Sequence, residues 1–116
     1  MIKDALKILV PGIAQQLQIA FDKNRDFVDQ VQTAIVTRVT FDQEANAGYI
    51  YVRAGRELNA VERNIIGVKH GHTMPVPGDM WIAIDLDNFE RLTGIEILTP
   101  SSELEARLKQ LADLYP

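Results

Sequence analysis

The sequence predicts an α+β fold in which an antiparallel β-sheet of about five strands lies between N-terminal amphipathic helices and a C-terminal helix. Apolar residues recur at helical spacing in the first part of the chain, alternate with polar residues in the middle, and return to helical spacing near the end. A length of 116 residues fits one domain. The predicted divisions are a helical extension over 1–33, the sheet over 34–99 and the last helix over 101–115.

The N-terminal extension carries an apolar stripe that a proline interrupts. The stripe consists of Ile2, Ala5, Leu6, Leu9, Ile13, Leu17, Ala20 and Phe21. Pro11 has no amide hydrogen, so either a first helix ends near Val10 and a second begins at Pro11-Gly12, or one helix is kinked there. A solvated connector is predicted over 22–26, and residues 27–34 fit either a helix or a strand.

A first hairpin is predicted where the hydrophobic period changes. β-branched residues alternate along VQTAIVTRVTF, which favours a strand by about Ile35. The next residues, DQEANAG, predict a turn, because Asp42 can bond the backbone two residues on while Asn46 and Gly48 tolerate positive φ. The segment YIYVR then returns as the second strand.

A third strand is predicted over residues 60–68, after a turn at Ala54-Gly55-Arg56. The following segment, KHGHTMPVPGD, contains two prolines and two glycines and is predicted to be a loop, because these residues interrupt a hydrogen-bonded ladder. The segments MWIAIDLD and LTGIEIL are predicted to form a second hairpin around residues 88–91.

The terminal helix is predicted from its cap and its leucines. Ser102 and Glu105 have the spacing of a capping box, in which each side chain bonds the backbone of the other residue. Leu104, Leu108 and Leu111 form one face of this helix.

Composition and charge limit the classes of function. Sixteen acidic residues against twelve basic ones give a formal charge of −4, so direct nucleic-acid binding is not expected. A chain without cysteine has no disulfides, thiolate catalysis or iron–sulfur ligation. The apolar segment LKILVPGIA is interrupted by Lys7 and Pro11, so we expect neither export nor a membrane anchor. We expect a cytoplasmic protein.

Two histidines are the first candidates for metal ligands. His70 and His72 are separated by one glycine, and Asp79 is the nearest third ligand. A stable transition-metal site needs three or four ligands, so a solvated loop is the commoner explanation of this pattern. The alternative is a metal-dependent hydrolase that uses these three residues and Asp85.

No catalytic or cofactor motif is present in the sequence. Ser101 and Ser102 lack the flanking glycines of a nucleophile elbow and are better explained as helix caps. Gly67, Gly71 and Gly78 do not form a phosphate-binding loop between a strand and a helix. Asp85 and Asp87 lack the glycine and the distal glutamate of a calcium loop, and an acidic hairpin end explains them.

Side-chain parity predicts a sheet with two unlike faces. Ile50, Val52, Ile82, Ile84 and Leu86 point to one face, while Tyr49, Tyr51, Arg53, Trp81, Ala83 and Asp85 point to the other. The aliphatic face is predicted to be core, together with Ile95 and Ile97, and Glu96 faces the opposite way. Tyr49, Tyr51, Trp81 and Glu96 are therefore candidates for a contact surface, because aromatic side chains with polar tips suit interfaces. The alternative is that the N-terminal helices of the same chain cover these rings.

Two stretches, VTFDQEANAGYIYVR and WIAIDLDNFERLTGIEILTPS, resemble the small bacterial family called domain of unknown function 2283. Its members carry a hydrophobic–aspartate turn, a returning aromatic strand and a closing strand ending in Gly-Ile-Glu-Ile-Leu. The resemblance covers residues 36–102 and implies a β-meander with a terminal helix and no established activity. Asn46 replaces a second acidic residue of the family pattern, residues 88–91 replace an Asp-Gly turn, and residues 69–79 look like an insertion.

The sequence favours a non-enzymatic protein-binding domain that forms a homodimer and has another protein as its partner. The resemblance implies an antitoxin-like or inhibitory role, because members of the family resemble, in their gene neighbourhoods, the smaller partners of toxin–antitoxin pairs. The two alternatives are the metal-dependent hydrolase that uses His70 and His72, and a structural component of a larger assembly.

Overall fold

The computed structural model describes residues 3–54 and 57–116, with the side chains of all of these except residues 65 and 66. The elements follow in the order α1 (Leu6–Leu9), α2 (Pro11–Ala20), α3 (Arg25–Thr33), β1 (Ile35–Asp42), β2 (Ala47–Arg53), a π-helical turn (Glu62–Ile66), β3 (His70–Val76), β4 (Trp81–Asp87), β5 (Leu92–Leu98) and α4 (Ser102–Leu114). This arrangement confirms the predicted α+β class.

Pro11 separates two helices, as the first of the two alternatives predicted. It occupies the first position of α2, where its missing amide hydrogen removes no helical hydrogen bond. Val10 ends α1 by donating its backbone N–H to the carbonyl of Leu6 at 2.9 Å. Ile2, which the predicted stripe included, lies outside the described residues.

The segment that fitted either a helix or a strand is the helix α3. Asn24 caps it, because its side-chain oxygen accepts the backbone N–H of Phe27 at 3.1 Å. The predicted connector therefore ends at Asn24, earlier than expected. The rings of Phe21 and Phe27 meet edge to face with centroids 4.9 Å apart, which closes the turn between α2 and α3.

The five strands form one antiparallel sheet in the order β1-β2-β5-β4-β3. The predicted turn chemistry of the first hairpin is confirmed for Asp42, which accepts the backbone N–H groups of Glu44 and Ala45, and for Asn46, whose φ is 50°. It is wrong for Gly48, which lies extended within β2. Its small size matters instead, because a Cβ there would stand 2.8 Å from Cδ1 of Leu108 on α4.

The predicted third strand over 60–68 is wrong. This segment contains the π-helical turn, and Asn59 and Glu62 cap its start by exchanging backbone–side-chain hydrogen bonds of 3.1 and 2.9 Å. The spacing Asn-x-x-Glu was the available signal, because it is that of a capping box. The predicted turn before it involves Gly55 and Arg56, which lie outside the described residues.

The predicted loop over 69–79 is also wrong, because most of it is the edge strand β3. Pro75 pairs with Ala83 of β4, and an edge strand tolerates proline because one of its sides needs no hydrogen-bond donor. A bulge lies between His70 and His72, and Gly71 fits there because a side chain would collide with the backbone carbonyl of Asp87. Only the residues between Val76 and Trp81 form a connection.

The N-cap of α4 lies one residue earlier than predicted, so the helix begins at Ser102. Ser101, rather than Ser102, accepts the backbone N–H of Leu104, at 3.2 Å. The predicted leucine face is confirmed, since Leu108 and Leu111 are buried and Leu104 is partly buried. The helix ends at the edge of β1, where the backbone carbonyl of Tyr115 accepts the N–H of Val39 at 2.8 Å.

All four α-helices contribute to one core that lies on the aliphatic face of the sheet. The core contains Leu6, Val10, Ile13, Leu17, Phe27, Val31, Leu108 and Leu111 from the helices and their flanks, with Ile50, Ile82, Ile84, Ile95 and Ile97 from the sheet. This confirms the predicted parity of the strands. The alternative in which the N-terminal helices cover the aromatic face is wrong, because these helices pack on the aliphatic side.

Two buried glutamines connect the helices to the hairpins. Gln16 of α2 accepts the backbone N–H of Met80 at 3.0 Å and donates to the carbonyl of the same residue at 2.9 Å. Gln30 of α3 accepts the N–H of Leu92 at 2.8 Å and donates to the carbonyl of Glu90 at 3.0 Å. The side-chain amides of these two buried glutamines thus hold the backbone next to both ends of β4.

Replacing Gln30 with alanine is expected to lower the free energy of unfolding by about 1–3 kcal/mol, because the N–H of Leu92 and the carbonyl of Glu90 lose buried partners. Urea denaturation followed by circular dichroism measures this change. The control is Gln32→Ala on the same helix, where the side chain is exposed and a change within about 0.5 kcal/mol is expected. Equal losses in the two variants would contradict the anchoring role of Gln30.

Candidate functional site

The second face of the sheet is where the predicted contact residues lie. We call it the open face. It is formed by Arg38, Thr40 and Asp42 of β1, Ala47, Tyr49, Tyr51 and Arg53 of β2, Gly94, Glu96 and Leu98 of β5, Trp81, Ala83 and Asp85 of β4, and Thr73 and Pro75 of β3. The described α-helices all pack on the other face, so these side chains face outward.

The most exposed aromatic side chain is that of Trp81, at one corner of the open face. It is 71% exposed and lies opposite Leu98 of β5, which is 37% exposed and in turn lies opposite Ala47. Trp81 also borders a concavity of about 580 Å³ together with Met80 and Leu104. An apolar strip therefore crosses the sheet at this end and continues toward the start of α4.

A hydrogen-bonded cluster occupies the middle of the open face. The Tyr49 hydroxyl donates to one carboxylate oxygen of Asp85, and the Thr73 hydroxyl donates to the other. The Tyr49 ring reaches from β2 across β5 to β4 because the strand between them carries Gly94 at this position, where any side chain would collide with the Tyr49 hydroxyl. The glycine of LTGIEIL thus makes room for a tyrosine ring.

The two tyrosines form a pair, and Trp81 lies in a different row. The rings of Tyr49 and Tyr51 have centroids 4.6 Å apart, and the guanidinium carbon of Arg38 lies 5.4 Å from the Tyr51 ring centroid, a cation–π contact. Glu96 lies directly opposite Tyr49 on β5, as the predicted cluster required. Among the described residues, the close ring pairs do not include Trp81 with either tyrosine.

Burial raises the pKa of the Tyr49 hydroxyl, and the hydrogen bond to Asp85 and the negative charge of that carboxylate raise the pKa further. The phenol therefore stays protonated at neutral pH and acts as a hydrogen-bond donor. Phenolate is the form that a nucleophile or general base would need. The cluster consequently holds neighbouring strands together on the open face. Its phenol is a neutral donor whose hydrogen bond is already made to Asp85.

The structure does not bring the candidate metal ligands together. His70 begins β3 and lies opposite Asp87, whereas Asp79 lies in the connection after the strand, so a seven-residue strand of about 20 Å separates them. The Nε2 atom of His72 is 3.8 Å from a carboxylate oxygen of Glu90. Within residues 3–54 and 57–116, no group of three histidine, aspartate or glutamate side chains is arranged to hold a metal ion.

The two aspartates of β4 have different roles. The prediction of an acidic hairpin end describes Asp87 but not Asp85. Asp87 is 2% exposed and caps the β4–β5 turn, because its carboxylate accepts the backbone N–H groups of Phe89 and Arg91 at 2.8 and 2.9 Å. Asp85 instead holds Tyr49 and Thr73. Thr73 was missed as a site residue because it falls in the segment predicted to be a loop, and only strand pairing reveals its position.

Comparisons of the chain with protein-family models, with curated proteins and with solved structures find no match. The fold and the site define a two-layer α+β protein whose antiparallel sheet has one face covered by helices and one face open. The resemblance to domain of unknown function 2283 stays a prediction. None of the helices in the described part of the chain is long and apolar enough to cross a membrane.

Replacing Asp85 with asparagine is expected to lower the pKa of Tyr49, because the substitution removes the negative charge beside the phenol. The phenolate absorbance in a pH titration measures this change, and Tyr49→Phe identifies which tyrosine contributes it. The folded-state pKa of Tyr49 is raised above the unfolded value of about 10. The protonated phenol of Tyr49 therefore makes its full contribution to the stability of the fold below a pH of about 10, and this contribution falls as the pH rises further.

The matched control is Glu44→Gln, which removes one negative charge from the exposed turn between β1 and β2. This variant should leave the titration of Tyr49 unchanged. An Asp85→Asn protein whose Tyr49 titrates as in the parent protein would show that the carboxylate does not hold the phenol.

Proposed function

We propose that the chain is a non-enzymatic protein-binding domain, and that two copies bury their open faces against each other in a homodimer. The observation that carries the proposal is the 71% exposure of Trp81 on a sheet face that the described helices leave uncovered. Tryptophan is enriched at the centres of protein interfaces, and monomers rarely expose large apolar patches.

The dimensions of the open face suit a second copy of the chain. Five strands about 4.8 Å apart and seven residues long at about 3.3 Å per residue cover about 24 by 23 Å, or roughly 550 Å² per copy. A pair would bury about 1,100 Å², near the lower limit for a specific interface. Two sheets with the same twist pack well face to face, so a second open face has a matching shape.

The charges on the open face also favour a second copy. Arg38 lies on β1, at one side of the sheet, while Asp85 lies on β4, on the other side of the central strand β5. A two-fold axis parallel to the strands places the basic side of one copy over the acidic side of the other. Tyr49 and Tyr51 lie between these charges and can bury apolar area in the contact.

The biological role within this proposal rests on the sequence. The resemblance to a bacterial family supports an antitoxin-like or inhibitory role toward a further protein, and the lack of cysteine is compatible with the cytoplasm. The metal-dependent hydrolase is not proposed, because no observation favours it: His70 and His72 lie at one end of β3 and Asp79 beyond the other.

The substitution Trp81→Glu is expected to weaken self-association at least about 30-fold, since truncation of a tryptophan that dominates an interface costs about 2 kcal/mol or more and the buried carboxylate adds to this. Sedimentation equilibrium over a range of concentrations measures the dimer dissociation constant. Circular dichroism and the unfolding midpoint show whether the variant keeps its fold.

The matched control is Leu114→Glu, which introduces the same charge at a leucine that is 63% exposed on α4, in the helical layer. This variant should dimerise like the parent protein. A parent protein that stays monomeric at every concentration, or a Trp81→Glu protein that dimerises equally well, would refute the homodimer. An assembly larger than a dimer would favour the structural-component alternative instead.

A further inference from the structure

A second concave surface lies at the end of the sheet opposite Trp81. This pocket has a volume of about 450 Å³ and lies where α3 ends, β1 begins and β2 ends, beside the π-helical turn. Its lining includes Thr33, Arg53, Ala54, Glu57, Arg63 and Arg91. Three of the seven arginines of an acidic chain therefore converge on one pocket.

In the part of the chain that the structure describes, two of these three guanidinium groups form no ion pair with an acidic side chain. The Nε atom of Arg91 is 2.8 Å from a carboxylate oxygen of the buried Asp87, so its charge is matched. Among the described residues, neither Arg53 nor Arg63 takes part in an ion pair, and Arg63 makes only a long hydrogen bond of 3.4 Å to the carbonyl of Leu58. Among the described residues that line this pocket, Glu57 carries the one carboxylate.

Aliphatic side chains lie beside the site. A smaller concavity of about 120 Å³ shares Arg53, Ala54 and Arg91 with the pocket and is also lined by Val52 and Leu92. Both of these aliphatic side chains are buried, with exposures of 8% and 1%. Arg53 and Arg63 are exposed, so a ligand can reach both guanidinium groups from solvent.

We propose that this pocket binds a small phosphorylated ligand, with its phosphoryl group between Arg53 and Arg63. A guanidinium group presents paired N–H donors that match two oxygens of a phosphate, and two such groups balance its charge of nearly −2. The hydroxyl of Thr33 adds a polar group to the lining, and Glu57 can accept a hydrogen bond from a hydroxyl or amino group of the ligand. The volume lies within the range of small-ligand pockets.

The pocket shares Arg53 with the open face but lies at the end of the strands away from Trp81. Trp81 begins β4 next to the end of β5, whereas Arg53 ends β2 beside the start of β1, at the other end of the strands. The Trp81→Glu protein should therefore bind the ligand as the parent protein does. The two proposals consequently fail separately, since each has its own variants and its own readout.

Isothermal titration calorimetry at low ionic strength tests the site, with inorganic phosphate and glycerol phosphate as probes. Saturable binding to the parent protein is expected, and Arg53→Gln and Arg63→Gln should each weaken it about tenfold or more, because each removes a charged hydrogen-bond donor. Tighter binding of glycerol phosphate than of phosphate would identify a phosphorylated hydroxy compound as the ligand class; equal binding would assign the site to the phosphoryl group alone.

The matched control is Arg25→Gln, an exposed arginine on α3 that lies about 12 Å along the helix from Thr33. This variant removes the same charge and should leave binding unchanged. Amide signals of Thr33, Ala54 and Leu92 in the parent protein should shift on addition of phosphate, which locates the ligand without any substitution. Absence of saturable binding, an equal loss in Arg25→Gln, or shifts confined to other residues would overturn the proposal.

Discussion

The burial of one aliphatic sheet face by all four α-helices is the constraint on which the other features depend. Ile50, Ile84 and Ile95 form a central row across β2, β4 and β5, and each is at most 1% exposed. A fully buried aliphatic side chain of this size contributes about 1.5–3 kcal/mol relative to an exposed one. Because the described α-helices pack on this side, the aromatic side of the same strands remains a surface. The contact residues are therefore a consequence of where the helices pack.

Polar anchors then fix how the helices lie on the sheet. Apolar burial has no direction, whereas an amide side chain that both donates and accepts has only a few suitable positions. Gln16 and Gln30 meet this condition at opposite ends of β4, through the backbone of Met80 and of the Glu90–Leu92 segment. Leaving either partner unsatisfied in the core would be costly, so these bonds also specify the arrangement.

The two proposed surfaces use opposite ends of the sheet and different chemistry. At the Trp81 end, apolar side chains continue from the open face toward α4 and suit a protein contact. At the Arg53 end, guanidinium groups line a pocket and suit an anion. Between them, Asp85 holds Tyr49 and Thr73 in place and joins β2, β4 and β3 on the open face. The centre of the face is thus held by hydrogen bonds between strands.

The sequence alone determined the features that depend on neighbours along the chain. Helical and alternating periods predicted the α+β class, the two faces of the sheet and the leucine face of α4, and the chemistry of Asp42 and Asn46 predicted the first turn. Tertiary structure decided the rest, because the outcome depended on distant partners. β3 is a strand despite its proline because β4 offers it an edge, and Gly94 serves a tyrosine 45 residues away in the sequence. The arginine pocket likewise exists only because four separate segments meet there: the α3–β1 junction, the end of β2, the π-helical turn and the β4–β5 turn.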